Sequence, residues 1–596
     1  KTKIVSIASI IALALTLVTA TFAYFMAQTG EGKSTDIKIN ANTVDTFTFE
    51  AGSALNVSLN QENFASGKGN QTGTTFAKAM LTANNKTNTA TEHYYMYLNI
   101  SNNTFTYSID NNTPEILLSI KDGSNNEITT LTGLTYKTVT DGKGASIKGF
   151  DITTKSGLIT ILNNREITTT SSKTEEWNVT VTFVNYNSNQ AGNAGKNFSA
   201  KLMIQKEKIP TVLSDVCTSG NNLATCITTL SNKSEPSIVN IYHHTSSLTN
   251  GAGDNSYRYA GGDYVLTDAG KATGATMMIG YDETVTTALI DFYCNGTKQF
   301  VGYASSSCST HYYQIKGETT QYQTYNEALS ASVEKGYLTK DNVKNFVCFG
   351  SDASTCPTEN LYRIIGVFNN QVKLIKYDYA KSSLLGTDGD FSQEYSYYWS
   401  GEQGESPSSN SLYYWNNDTQ TNTWSESNLN KINLNTNFVN NIGTIWAKKI
   451  ATTTWKVEGG TYASIETSVP KTAYQYEVGS SASTTTYDAK IGLMYVTDYY
   501  YGASPSAWTL VGYNKSDATK DYRFSKGENW LYGGGWDWTI SRRSDGSHTA
   551  FIVDRPGNVL NSYVNHYDAV RPSFSLLSST TYVSGSGSMS DPIRIN

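Results

Sequence analysis

The sequence predicts a mainly β protein with an apolar N-terminal helix, a β-sandwich domain and a C-terminal α+β domain that carries an elaborated insertion. Three observations lead to this prediction: short runs of alternating polar and apolar residues over 41–208, a change of composition after Pro210, and a rise in aromatic density after residue 360. Because single hydrophobic cores stop growing beyond about 250–300 residues, the 596 residues are expected to form more than one domain.

The composition is polar but poor in charge. Only 16% of the residues are charged, against about 25% in ordinary soluble domains, and Thr, Ser, Asn and 41 Tyr take their place. A net charge of −6 without a long basic run excludes nucleic-acid binding as the main function. With 12% aromatic and 38% hydrophobic residues the chain can fill cores, which excludes overall disorder.

Residues 1–28 are predicted to form an apolar helix long enough to cross a hydrocarbon layer of about 30 Å. One interpretation is an export signal with a poor small-x-small cleavage site at Thr21–Ala23. The other is a retained helix that anchors the protein or packs with copies of itself along a filament axis. Lys1 at the start fits prepilin-type cleavage ahead of the helix, or simply a shortened sequence. The apolar positions expected to mediate assembly or membrane contact are Ile4, Ile7, Ile10, Ile11, Leu15 and Leu17.

Residues 29–208 are predicted to form the β-sandwich domain. Their β-branched and aromatic content, period-two alternation and turn-rich spacing are typical of two sheets that each bury one face. The clearest predicted strands are Asp45–Glu50, Tyr94–Ser101, Glu115–Lys121, Gly157–Leu162, Trp177–Val184 and Phe198–Ile204.

Ala20–Phe25, followed by this Thr- and Asn-rich β region, resembles the start of the camelysin/TasA group of exported matrix-fibre proteins of Gram-positive bacteria. The segments Trp177–Val184 and Gly195–Ile204 are similar to the last strands of such domains. The resemblance implies a jelly-roll sandwich that assembles into filaments. It also implies cleavage near Ala23-Tyr24-Phe25, which conflicts with a retained helix.

Residues 209–344 are predicted to form a connecting or inserted region, because the composition changes directly after the charged run Lys206–Pro210. Helices are expected at Val212–Leu230 and Thr324–Phe346, on either side of a Gly-, Tyr- and Ser-rich stretch.

All six cysteines follow residue 216 and fall into three close pairs: Cys217 with Cys226, Cys294 with Cys308, and Cys348 with Cys356. Local disulfides are the simplest of the 15 connectivities that six cysteines allow. Zinc is the competing interpretation, but no pair has C-x2-C spacing and the histidines lie at no ligand spacing, so no metal site is expected. Disulfides would place the body of the protein outside the cytoplasm.

Residues 345–596 contain nine of the ten tryptophans. Leu361–Phe368 and Gln371–Lys376 are predicted to form a hairpin through the two-residue turn Asn369-Asn370. A short helix is expected at Leu429–Leu434. Further strands are predicted at Trp536–Ser541, Thr549–Val553 and Asp568–Leu576.

The ending of the chain, with Trp538–Ser541 and Ala569–Phe574, resembles the C-type-lectin-like superfamily. The similar branch includes the sulfatase-modifying enzymes and many bacterial surface domains. The likeness covers 345–596, including Cys348–Cys356 and Leu361–Gly366, and implies a C-type-lectin-like α+β fold. Those enzymes need reactive cysteines, whereas this chain has no cysteine after Cys356, so the resemblance does not carry catalysis over.

Trp415-Asn-Asn-Asp418 resembles the calcium- and sugar-binding tripeptide Trp-Asn-Asp of C-type lectins, although an extra Asn interrupts it. Carboxylate and amide oxygens are the ligands that calcium prefers, so calcium is the one candidate cofactor. Exposed Trp and Tyr stack on sugars or bury into protein partners, whereas core packing is the competing interpretation. The candidate ligand-binding residues are Trp415, Asn417, Asp418, Trp536 and Trp538.

The sequence predicts an extracellular bacterial surface protein that is not an enzyme, since it has no nucleophile elbow, His-Glu-x-x-His or phosphate-binding loop. The first hypothesis is a filament subunit. It would be membrane-held before assembly and polymerise through the N-terminal helix and β-sandwich, with the lectin-like domain displayed outward for adhesion. The alternative is an anchored or secreted adhesin that binds glycan or a host protein without polymerising. Few charges favour side-by-side packing of subunits.

Overall fold

A computed structural model of the protein describes residues 45–59, 68–84, 88–110, 112–261, 290–299, 309–315, 319–323, 343–395, 410–525, 529–533 and 535–596. The predicted helix over residues 1–28, with its apolar positions from Ile4 to Leu17, lies outside them. Within these ranges no helix is long and apolar enough to cross a bilayer. The chain divides into two compact units, of which unit 1 ends at Ile209 and unit 2 begins at Pro210.

Unit 1 is built from antiparallel strands, as the alternating sequence predicts. The strands are β1 (Thr46–Ala51), β2 (Leu55–Ser58), β3 (Gln71–Thr82), β4 (Ala90–Asn103), β5 (Ile116–Asp122), β6 (Tyr136–Thr140), β7 (Ser146–Asp151), β8 (Gly157–Thr169), β9 (Ser172–Phe183) and β10 (Asn197–Gln205), with one 3-10 turn at Ala191–Asn193. They form a six-stranded sheet in the order β1-β3-β9-β5-β7-β6 and a four-stranded sheet in the order β2-β10-β4-β8.

The two sheets of unit 1 contribute alternate side chains to one hydrophobic core. Ile116, Leu118 and Ile120 of β5 are completely buried in the same cluster as Leu98 of β4 and Leu202 of β10. Each of the six predicted strands is present in the structure, with ends shifted by a few residues. Period-two alternation therefore located the strands because each sheet buries only one of its faces in this core.

Unit 2 is also mainly β, with short helices between the strands. Its strands are β11 (Ile241–His243), β12 (Tyr257–Tyr259), β13 (Ile290–Cys294), β14 (Thr297–Gln299), β15 (His311–Ile315), β16 (Phe346–Cys348), β17 (Leu361–Phe368), β18 (Gln371–Lys376), β19 (Phe391–Tyr395), β20 (Asn410–Tyr414), β21 (Thr453–Lys456), β22 (Thr486–Ala489), β23 (Asp537–Arg542), β24 (Thr549–Val553), β25 (Val559–Tyr563), β26 (Tyr567–Asp568), β27 (Ser573–Ser575), β28 (Tyr582–Ser584) and β29 (Arg594–Ile595). Its largest sheet has the order β11-β12-β17-β18-β27, and β16 pairs with β17.

The helices of unit 2 are mostly one or two turns long. They are α1 (Leu223–Lys233), α2 (Pro236–Val239), α3 (Ser382–Leu385), α4 (Val439–Asn441), α5 (Thr444–Ala447), α6 (Tyr462–Ile465), α7 (Pro470–Glu477) and α8 (Val496–Gly502), together with a π-type helix at Leu429–Phe438 and 3-10 turns at Leu213–Asp215, Thr358–Asn360, Pro505–Thr509 and Ala518–Lys520. The predicted short helix at 429–434 is thus confirmed.

The described first part of the expected connecting or inserted region 209–344 packs with the residues that follow it. Leu223 and Ile227 of α1 are buried in the same core as Leu374 and Phe574, so residues 210–261 belong to unit 2. In place of the predicted helix over 212–230, the structure has the shorter helix α1, which begins at Leu223. It begins there because the Asn222 side chain caps it by accepting a hydrogen bond from the Thr225 amide. Of the second predicted helix, residues 324–342 lie outside the described ranges and Phe346 begins β16.

The predicted hairpin of β17 and β18 is confirmed. Phe368 pairs with Gln371, and the turn residues Asn369 and Asn370 have φ of 48° and 63°. Positive φ at both central residues is the requirement of a type I′ turn, and Asn tolerates it better than most residues do. The dipeptide therefore fixed the register of the central hairpin.

Candidate functional site

Two of the three predicted cysteine pairs are disulfides. Cys217 is bonded to Cys226 with Cα atoms 5.6 Å apart, and Cys348 is bonded to Cys356 with Cα atoms 5.8 Å apart. Cys308, the predicted partner of Cys294, lies outside the described residues. The first bridge closes the loop around the start of α1, and the second closes the loop ahead of β17. Both therefore brace the loop-rich unit that carries the candidate site.

Trp415 and Trp538 are core residues and do not form a ligand-stacking surface. Both rings are buried. The Trp415 indole donates to the carbonyl of Thr539, and the Trp538 indole donates to the carbonyl of Tyr413, each at 2.9 Å. These bonds tie β20 to β23 from both sides. The core interpretation applies to these two candidates because each ring has a buried partner for its N–H.

Asn417 and Asp418 are exposed on the loop that follows β20. The amide of Asn417 donates to Asp390 at 3.0 Å, and the other Asp390 oxygen accepts from the Leu429 amide at 2.7 Å, which caps the π-type helix. Burial raises the pKa of Asp390, and the charge of Asp418 adds to the rise. Backbone donors thus occupy both oxygens of Asp390.

The loop does not fit calcium. No group of three or more His, Cys, Asp and Glu side chains is placed to hold a metal ion in the part of the chain that the structure describes. Calcium needs about six to eight oxygen ligands, and the nearest buried carboxylate, Asp390, serves as a helix cap. The loop is better suited to hydrogen bonding through its exposed amide and carboxylate.

Three exposed aromatic residues lie on neighbouring segments of unit 2: Trp536 is 48% exposed, Tyr563 is 58% exposed and Tyr567 is 44% exposed. Tyr414 pairs with Tyr567 across β20 and β26, and their rings meet edge to face at 5.9 Å. The Ala569 amide donates to the Trp536 carbonyl at 3.0 Å, which places Trp536 beside the end of β26. We call Tyr414, Trp536, Tyr563 and Tyr567 the aromatic face.

The predicted loop and the aromatic face are attached to each other. The Asn416 amide donates to the Val564 carbonyl at 3.0 Å, within the turn that joins Tyr563 to Tyr567. On the other side of the loop, the side-chain amide of Asn422 donates to two carbonyls of the β23–β24 connection and to that of Thr549, the first residue of β24, at 2.8–2.9 Å. Asn417 and Asp418 therefore project from a braced loop next to exposed tyrosines.

Sequence reasoning found Trp536, Asn417 and Asp418 but missed Tyr563 and Tyr567. The signal was the segment Asn561–Tyr567, in which Tyr563 and Tyr567 lie among polar residues and Val564 is the single buried position. That pattern indicates exposed tyrosines, whereas the Trp538 pattern does not distinguish a core ring from a surface ring.

No protein-family model and no curated protein matches the chain.

Proposed function

We propose that the protein is a bacterial surface adhesin whose unit 2 binds a neutral glycan through the aromatic face and the adjoining Asn417–Asp418 loop. The observation that carries the proposal is the exposure of Tyr563 and Tyr567 on a turn that Asn416 braces, with exposed Trp536 beside the end of β26. The other described tryptophans of unit 2 are buried. Exposed aromatic rings with adjacent amides and hydroxyls supply the stacking and hydrogen bonds that sugar rings require. For unit 2 we infer the C-type-lectin-like fold that the sequence predicts.

We further propose that unit 1 and the apolar residues 1–28 build an extracellular filament that carries unit 2. The two sheets with a shared core are consistent with a jelly-roll-like sandwich. Among the described residues, β1 and β6 have no partner strand along their outer edges, and unpaired edges can accept a strand from another copy. The low charge limits repulsion between neighbouring subunits, and the disulfides are suited to an extracellular location.

A glycan array tests the binding proposal. Purified full chain is compared with Tyr567→Ala and Tyr563→Ala, with Phe524→Ala as the matched control because Phe524 is 67% exposed and outside the aromatic face. We expect each Tyr variant to bind about tenfold more weakly, or about 1.4 kcal/mol, and the Phe524 variant to bind as the parent does. Equal binding by all variants would remove the aromatic face from consideration.

The same array, run with and without calcium, tests the loop. Because the loop does not fit calcium, chelation is expected to leave binding unchanged, whereas Asp418→Ala is expected to weaken it by removing a hydrogen-bond acceptor. A calcium effect that Asp418→Ala abolishes would show that the loop holds calcium after all.

The second candidate function is an adhesin that does not polymerise. This adhesin would bind ligand through the same aromatic face, but its unit 1 would not assemble into a filament. The small net charge of −6 is the observation that favours the filament over the non-polymerising adhesin. Microscopy of material sheared from cells separates the two.

A further inference from the structure

Two buried aspartates lie directly behind the aromatic face. Asp537 follows Trp536 and Asp568 follows Tyr567, and both carboxylates are buried. Residues 537 and 569 form a parallel bridge, and the Trp538 amide donates to the Ala569 carbonyl at 3.1 Å. Each aspartate is thus the immediate chain neighbour of an exposed aromatic residue.

Only one of these four carboxylate oxygens has a hydrogen-bond donor on a described side chain. Arg571 donates to Oδ2 of Asp537 through Nε at 2.6 Å and through a second nitrogen. Oδ1 of Asp537 and Oδ2 of Asp568 are buried without a hydrogen-bond partner among the described residues. Arg571 also donates through Nη2 to the Leu531 carbonyl at 2.6 Å.

An ionised Asp568 in this place would be a buried charge without a counterion. Such a group is strongly destabilising unless it is paired or neutralised. Among the described residues, the guanidinium that contacts the pair is that of Arg571, and it is bound to Asp537. The other titratable groups beside the pair are tyrosines: Tyr379 interacts with Asp537 and Arg571, and Tyr413 lies opposite Asp568 across β20 and β26.

The electrostatics agree with the geometry. Burial raises the pKa of Asp568 to about 7, and the charge of Asp537 adds to the rise. Burial also raises the pKa of Asp537 to about 6, against the opposing effect of Arg571. The pair therefore binds a proton far more readily than two solvated aspartates do.

We infer that Asp568 holds a proton in the folded protein and that this proton keeps β26 paired with β20, positioning Tyr567 and Trp536 for ligand. The inference deepens the proposed function and rests on it for the role of the aromatic face. Asp537 and Asp568 are positioning residues that do not touch ligand. Loss of the proton leaves an uncompensated charge beneath the face, which favours opening of the 563–568 turn.

The direction in which pH changes the opening of the turn follows from the linkage between proton binding and conformation. An acid whose pKa is higher in the closed state than in the open state stabilises the closed state at low pH, and the stabilisation is lost between the two values. Opening of the turn should become about tenfold more frequent for each pH unit from about pH 4 to about pH 7, and constant above that range.

Hydrogen exchange of the full chain tests this without any ligand. Protection of peptides covering 410–415 and 563–570, corrected for the intrinsic pH dependence, is compared between the wild type, Asp568→Asn and the exposed control Asp352→Asn. We expect the wild type and the control to lose protection from about pH 5 to about pH 7 and Asp568→Asn to keep it. An Asp568→Asn profile that follows the wild type would overturn the inference.

The wild-type profile is a second test that needs no variant. If the turn opens equally often at about pH 5 and about pH 7, Asp568 holds no proton and the inference is wrong, even if Asp568→Asn does not fold. Failure of the glycan array would instead contradict the proposed function and leave the exchange result standing.

Discussion

Glu466 offers the sharpest prediction about stability. It follows α6 in the sequence and is buried, and its carboxylate accepts one hydrogen bond, from the Asn561 amide at 3.0 Å. Burial raises the pKa of Glu466 to about 7, against the opposing effects of Asn561 and Arg543. The folded protein therefore carries a charge at high pH that it solvates poorly.

The substitution Glu466→Gln removes this charge and keeps an oxygen for Asn561. The pKa of Glu466 rises from 4.5 to about 7, so the linked free energy is about 3 kcal/mol at most. Because the folded-state value is the higher one, the penalty is absent below about pH 4.5, grows between about pH 4.5 and pH 7, and is constant above. Glu466→Gln should therefore match the wild type in acid and exceed it at about pH 8.

Urea unfolding followed by tryptophan fluorescence measures the difference, because nine of the ten tryptophans lie in residues 345–596. The matched control is Glu359→Gln, since Glu359 is exposed and its substitution should leave stability unchanged at both pH values. If the stabilities of Glu466→Gln and the wild type differ equally at about pH 4 and pH 8, the burial argument is refuted.

Two further predictions concern the framework of unit 2. Lys373→Met should lower the unfolding free energy by about 3 kcal/mol, because among the described residues it leaves buried Asp498 with Arg258, at 3.8 Å, as its remaining cation; an unchanged urea midpoint would contradict this. Cys348→Ser should cost about 2–3 kcal/mol by freeing the loop that Cys356 closes, seen as a lower melting temperature; a melting temperature equal to that of the parent would contradict it.

The strands and the central hairpin could be predicted because their signals are local. Period-two alternation reports which face of a strand is buried, and Asn369-Asn370 specifies its turn through backbone conformation alone. The close cysteine pairs were equally local, since short loops bring their ends together at small entropic cost.

The rest depends on contacts that sequence spacing does not reveal. The indole N–H groups of Trp415 and Trp538 each donate to a carbonyl more than a hundred residues away in the sequence. The residues next to each tryptophan in the sequence therefore do not distinguish a core ring from a surface ring. The pairing of Lys373 with Asp498 is equally distant. Residues 210–261 belong to unit 2 because α1 packs against the central hairpin. The rise in aromatic density after residue 360 therefore lies inside this unit and does not mark its start.

Negative-stain electron microscopy of material sheared from cells tests the central claim most directly. Filaments that antibodies against unit 2 decorate along their length are expected, and mass spectrometry of their subunit should recover the apolar segment that precedes Tyr24. Monomers that begin near Tyr24, with no filaments on cells that produce the protein, would contradict it.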